Sequence, residues 1–92
     1  METKKLLELY FQVLETFGAE NQKCMLVEEC GELLNALAKR KRGRSTIAEV
    51  LTELADVRIM VEQMGYLYGW YAFEREYERK LARLADRVAK HK

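Results

Sequence analysis

Two carboxylate pairs, Glu29-x-x-Glu32 and Glu53-x-x-Asp56, are the residues of this 92-residue sequence best suited to do chemistry. Side chains three apart on a helix stand on neighbouring turns of one face, so each pair offers two oxygen donors to a common point. A donor set of carboxylates alone, without thiolate or imidazole, suits a hard divalent cation, Mg²⁺ or Mn²⁺. Glu53 has the most telling phase: it falls between Val50, Val57 and Met60, inside the apolar arc of its helix. Burying an unpaired carboxylate costs on the order of several kcal/mol, so such a group takes up a proton, finds a cation or coordinates metal. A chain whose residues are 34% charged produces an E-x-x-E by chance on solvated helix faces. Two pairs on consecutive helices, both bordering apolar arcs, favour a shared metal cleft. Glu28 and Glu49 flank the pairs, either to steady a ligand, to hold a second metal or to pair with surface bases.

The elements that position these acids are expected to be helices. Proline is absent, glycine occurs five times, and Ala, Leu, Glu, Lys and Arg dominate. A first helix carries the stripe Leu6, Tyr10, Val13, Leu14 and Phe17 and stops at Gly18. The second starts near Asn21 as N-cap and runs to Lys39–Arg42, with Gly43 as its stop; its core arc is Leu26, Cys30, Leu33, Leu34 and Leu37. Thr46-Ile47-Ala48-Glu49 has the form of a capping box and opens a third helix with Ile47, Val50, Leu54, Val57, Val61 and Met64 inward, ending between Gly65 and Gly69. From Trp70, a narrow seam of Trp70, Phe73, Tyr77, Leu81, Leu84 and Val88 marks a fourth helix, with a frayed tail at Lys90-His91-Lys92. The expected fold is a single all-α domain over residues 1–92, an antiparallel bundle of about four helices completed within the chain or by dimerisation.

Charge and composition exclude several classes. Sixteen Lys and Arg against fifteen Asp and Glu leave a net charge of +1, so no global field draws the chain to nucleic acid or membrane. The run Lys39-Arg40-Lys41-Arg42-Gly43-Arg44 resembles a nucleic-acid patch, but a basic helix C-terminus that satisfies terminal carbonyls explains it better. Cys24 and Cys30, six apart on one helix, lie on different faces and read as reduced packing residues of a cytoplasmic protein. Glu8, Gln12 and Glu15 interrupt the apolar residues of the N-terminal stretch, leaving neither a signal-peptide core nor a membrane span. Tyr66, Tyr68, Trp70 and Tyr71 could stack on a base, although aromatics at helical spacing more often form core or subunit interface.

Glu28-Glu29-Cys30-Gly31-Glu32-Leu33 and Glu53-Leu54-Ala55-Asp56-Val57, with twenty residues between Glu32 and Glu53, resemble the E-x-x-E and E-x-x-D signature of the MazG-like nucleoside triphosphate pyrophosphohydrolases. The similarity extends to Ile59-Met60-Val61-Glu62-Gln63 and to Lys80-Leu81-Ala82-Arg83-Leu84, and covers roughly residues 22 to 88. The resemblance implies an all-α fold, a Mg²⁺ site held by Glu29, Glu32, Glu53 and Asp56, and hydrolysis of a nucleoside triphosphate to monophosphate and pyrophosphate in a dimer or tetramer. The aromatic-rich stretch from Gly65 to Phe73 departs from the family pattern, as does the lack of the segments that larger members use to select substrate.

Hydrolysis of this kind requires metal to neutralise phosphate charge and lower the pKa of a water that attacks phosphorus in line. Glu28 or Glu29 would accept that water's proton. Lys39, near the end of the second helix, and Lys80 and Arg83, matching the family's K-x-x-R, are candidates to hold the triphosphate. Against that role, Glu76 and Lys80 have the spacing of an ordinary i,i+4 pair. The competing expectation is a non-catalytic helical interaction module that uses the basic loop and the aromatic cluster.

Overall fold

Glycines set where the helices turn. In a computed structural model describing residues 1–91, α1 spans Thr3–Phe17, α2 Ala19–Lys41 and α3 Ile47–His91, with no strand among the described residues. Gly18 (φ 86°) separates α1 from α2, and Gly43 (φ 71°) follows α2; side chains with a Cβ rarely adopt either backbone. Both stops fall where the sequence places them. The start of α2 does not: the helix begins at Ala19, directly after Gly18, so Asn21 lies inside it and caps nothing. At the start of α3 the hydroxyl of Thr46 accepts the Glu49 N–H at 3.1 Å, the N-cap bond the capping box promises. Thr46→Ala is expected to cost about 1 kcal/mol, read as a lower urea midpoint at unchanged m-value.

Three helical elements stand in place of the expected four, because the third and fourth expected helices run together as α3, two helical stretches that meet at a kink at Gly69. Gly69 has φ 128° and ψ 102°, a single non-helical residue within α3. The kink folds Phe73 back over Gly65, where an added Cβ would stand 2.5 Å from the Phe73 ring. One glycine therefore supplies the conformation and the other the space. At the far end helix persists through His91, within the stretch where the sequence expects fraying, and Lys90 pairs with Asp86 at 2.9 Å; Lys92 lies outside the described residues.

The first part of α3 lies antiparallel to α2. Gln22 donates to Gln63 at 2.8 Å at one end of this hairpin, and at the other Ser45 donates to the Ala36 carbonyl at 2.9 Å. Both glutamines are buried, and Gln63 also lies 3.6 Å from the Met60 sulfur. α1 packs on both helices near the Gln22 end. Its buried Tyr10 donates to the Glu62 carboxylate at 2.6 Å, which Arg58 also contacts at 3.2 Å. Burial first, then the hydrogen bond and charge of Glu62, push the Tyr10 phenol well above its ordinary range.

Tyr10, Ala36 and Met60 are the buried apolar residues. Leu6, Val13, Leu14, Leu26, Cys30, Leu33, Val50, Val57 and Met64 are half-buried, as are Trp70 and Phe73. By contrast Phe17, Leu34, Leu37, Ile47, Leu54, Val61, Tyr77, Leu81, Leu84 and Val88, all read from the sequence as inward, are exposed. Their helical phase is as expected, but the other helices of the chain leave them uncovered. Cys24 is likewise exposed and free rather than packed.

Candidate metal centre

The hairpin brings the two carboxylate motifs together. α2 and α3 run in opposite directions, so Glu29, in the middle of α2, meets Glu53 and Asp56 two turns into α3. One carboxylate oxygen from each of Glu29, Glu53 and Asp56 lies within 4.8 Å of the other two. All three side chains are half-buried, because Val50, Val57 and Leu33 share the helix faces that carry them. Glu32 completes the set from a more exposed position, and its charge acts on both Glu29 and Glu53.

The electrostatics of the cluster are those of acids lacking a counterion. Oε2 of Glu29 and Oε2 of Glu53 are buried with no hydrogen-bond partner. Loss of hydration raises the Glu29 carboxyl above its ordinary range, helped by the charges of Glu32, Asp56 and Glu53. Desolvation, followed by Glu32 and Asp56, does the same to Glu53. No Lys or Arg figures among the groups that shift either residue. A group of mutually repelling carboxylates that brings together one oxygen each of Glu29, Glu53 and Asp56, and leaves one buried oxygen of Glu29 and one of Glu53 without a partner, fits a hard divalent cation, which would relieve both desolvation and repulsion. This donor set holds no sulfur or nitrogen.

A pH dependence follows from these shifts. Each raised carboxyl binds its proton more tightly in the native than in the unfolded state. Its stabilising contribution is therefore complete below the ordinary carboxylate range and is lost as pH rises through the raised value. Melts of metal-free protein are expected to show a falling midpoint from mildly acidic to neutral pH. Glu53→Gln should flatten that slope; a midpoint that rises over the same range would contradict the shifts.

The remaining candidates lie apart from this group. Glu28 is exposed and makes no ion pair or hydrogen bond among the described residues, and Glu49 sits exposed in the first turn of α3. Lys39 is exposed in the last turn of α2, and Lys80 and Arg83 are exposed on the part of α3 beyond the kink. Glu76 bonds Arg79, at 3.0 Å from its Nε, rather than the expected Lys80, and this contact lowers the Glu76 carboxyl. Tyr68 and Tyr71 are exposed, with the Lys23 ammonium 5.4 Å from the Tyr68 ring.

Sequence reasoning missed the groups that hold the hairpin in register, above all the Gln22–Gln63 bond. A signal was present: Gln22 stands four residues before Leu26 and Gln63 three after Met60, both on apolar arcs. Paired amides there satisfy each other, and so lock the helix that carries Glu29 against the one that carries Glu53. Comparison with family models, curated proteins and solved structures gives no match for this chain.

Proposed function

We propose that this chain is a Mg²⁺-dependent nucleoside triphosphate pyrophosphohydrolase, releasing a (d)NMP and pyrophosphate, a reaction that would serve either nucleotide-pool house-cleaning or control of a normal pool. The observation that carries the reading is the convergence of Glu29, Glu53 and Asp56 with two buried oxygens lacking any partner. A cation site of that composition is compatible with phosphoanhydride hydrolysis, and the motif resemblance is what directs the reading to a nucleoside triphosphate. No helix among the described residues is long and apolar enough to cross a membrane. A cytoplasmic location and assembly as a homodimer or homotetramer belong to the same proposal.

Glu29, Glu32, Glu53 and Asp56 would hold Mg²⁺, or Mn²⁺ in its place. When bound, the metal supplies charge neutralisation at the phosphates and acidifies a water. The chain's own residues orient the substrate and move the proton. Of the two candidates for accepting it, Glu29 belongs to the convergent group, whereas Glu28 is one residue along on the exposed surface. Lys39, Lys80 and Arg83 are long, exposed cations outside the carboxylate group, and their contact with the triphosphate rests on the sequence reading alone.

The test is incubation of the purified protein with Mg²⁺ and a panel of canonical and modified (d)NTPs, followed by separation of products. Monophosphate with pyrophosphate is expected, and none should form in EDTA. If no triphosphate is turned over and Glu53→Gln behaves like the parent, the proposal falls. The interaction-module reading would then stand, with partner binding that survives loss of Glu32 and Glu53.

A further inference from the structure

The part of α3 beyond the kink carries an apolar seam that the protomer leaves uncovered. From residue 74 to residue 91 every side chain is exposed, so the arm projects from the three-helix body. Tyr77, Leu81, Leu84 and Val88 recur at spacings of four, three and four, the pattern of an interhelical seam, yet are 57%, 40%, 50% and 57% exposed. The seam continues into an open groove of about 660 Å³ whose lining includes Leu6, Val61, Trp70 and Phe73, with Tyr77 common to both. Most helical stability in proteins comes from packing an apolar face, and this seam packs on nothing within the protomer.

Surface area gives the size of what is missing. The chain exposes 7297 Å² and has a radius of gyration of 15.9 Å. A compact monomer of its 10.8 kDa mass would expose about 5,500 Å² with a radius near 12 Å. The excess, about 1,800 Å², is more than twice the area each partner contributes to a standard interface. It is of the order found in obligate homodimers.

Charge selects the occupant and its direction. Residues 74–79 carry three acids and two bases, net −1, whereas residues 80–91 carry four Lys and Arg and one Asp, net +3. Parallel arms would set +3 against +3. Antiparallel arms set each basic half against the other copy's acidic half, and bring Leu84 and Val88 of one copy over the groove of the other. A two-fold axis repeats the contact in both directions and closes the assembly.

We propose that two copies of this chain pair through antiparallel α3 arms, each arm covering the other copy's groove at the kink. The inference gives a surface to the self-association in the functional reading and does not depend on hydrolysis. Light scattering on the full chain at micromolar concentration is expected to give twice the monomer mass, and Leu81→Glu with Leu84→Glu to halve it. The exposed seam makes few contacts within the protomer, so circular dichroism of that variant should retain α1 and the hairpin. In a Cys24→Ser, Cys30→Ser background, Leu84→Cys mixed with Glu74→Cys should cross-link on oxidation, while Leu84→Cys alone should not. A monomeric parent, as expected if the arm serves a different protein or folds back on its own body, overturns the proposal. So does a dimer that survives both glutamates, or a Leu84→Cys homodimer that cross-links with itself. Triphosphate turnover is scored separately: an inactive protein that forms this dimer refutes only the catalytic reading.

Discussion

Glu53→Gln is expected to raise the thermal midpoint of the metal-free protein, to remove its stabilisation by Mg²⁺ and to reduce triphosphate turnover at least about 100-fold. The three effects share one cause. Glu53 lies between Val50, Val57 and Met60 on a helix face turned toward α2, where its Oε2 is buried without a partner beside Glu29 and Asp56. Glutamine keeps the shape and removes a desolvated charge from a group of like charges, which favours the folded state when no cation is present. The same change removes a hard anionic donor that an amide oxygen replaces poorly. Melts with and without Mg²⁺ check the first two effects, since a ligand that binds only the native state raises its midpoint by mass action. Product formation checks the third. A sharp loss of metal-free stability would instead make Glu53 a structural partner within the hairpin.

Gly65→Ala should destabilise the protein by about 1–3 kcal/mol, the range for overpacking a well-filled site. The new methyl would meet the Phe73 ring at 2.5 Å, against carbons held on both sides by the backbone of a single helix. Relief requires the ring to leave or the kink at Gly69 to open. Either route disturbs the direction of the arm, so the variant should also lower the dimer fraction. Phe73→Leu in the same chain should recover part of the loss, and a double-mutant cycle from urea titrations would measure the coupling. Additive effects would mean that the contact does not hold the kink.

Gly69 and Glu53 show how differently features of this chain could be read in advance. Glu53 could be recognised as an anomaly from one-dimensional phase alone, because helical periodicity is local and an acid in an apolar arc contradicts it. The stops at Gly18 and Gly43 and the cap at Thr46 were legible for the same reason: each depends on backbone conformation within a few residues. Gly69 also breaks the helix where the sequence places a stop, but the helix resumes directly after it, so the two stretches form one kinked element. Whether a glycine ends a helix or bends it depends on what the following residues pack against, and Phe73 finds its place over Gly65 only in three dimensions.

Helical content, the helix stops and the pairing of acids on two successive helices are determined by sequence, since each follows from propensity and from spacing along one chain. Tertiary structure decided which acids converge. It brings Glu29, Glu53 and Asp56 to a common point, leaves Glu32 at a more exposed position and Glu28 on the surface, and carries Lys80 and Arg83 away on a projecting arm. It also decided that residues such as Leu34, Leu54 and Leu81, apolar and correctly phased, remain exposed within the protomer. Phase specifies the direction in which a side chain leaves its helix. Burial depends on whether another surface lies in that direction, and for this chain the missing surface is proposed to belong to a second copy.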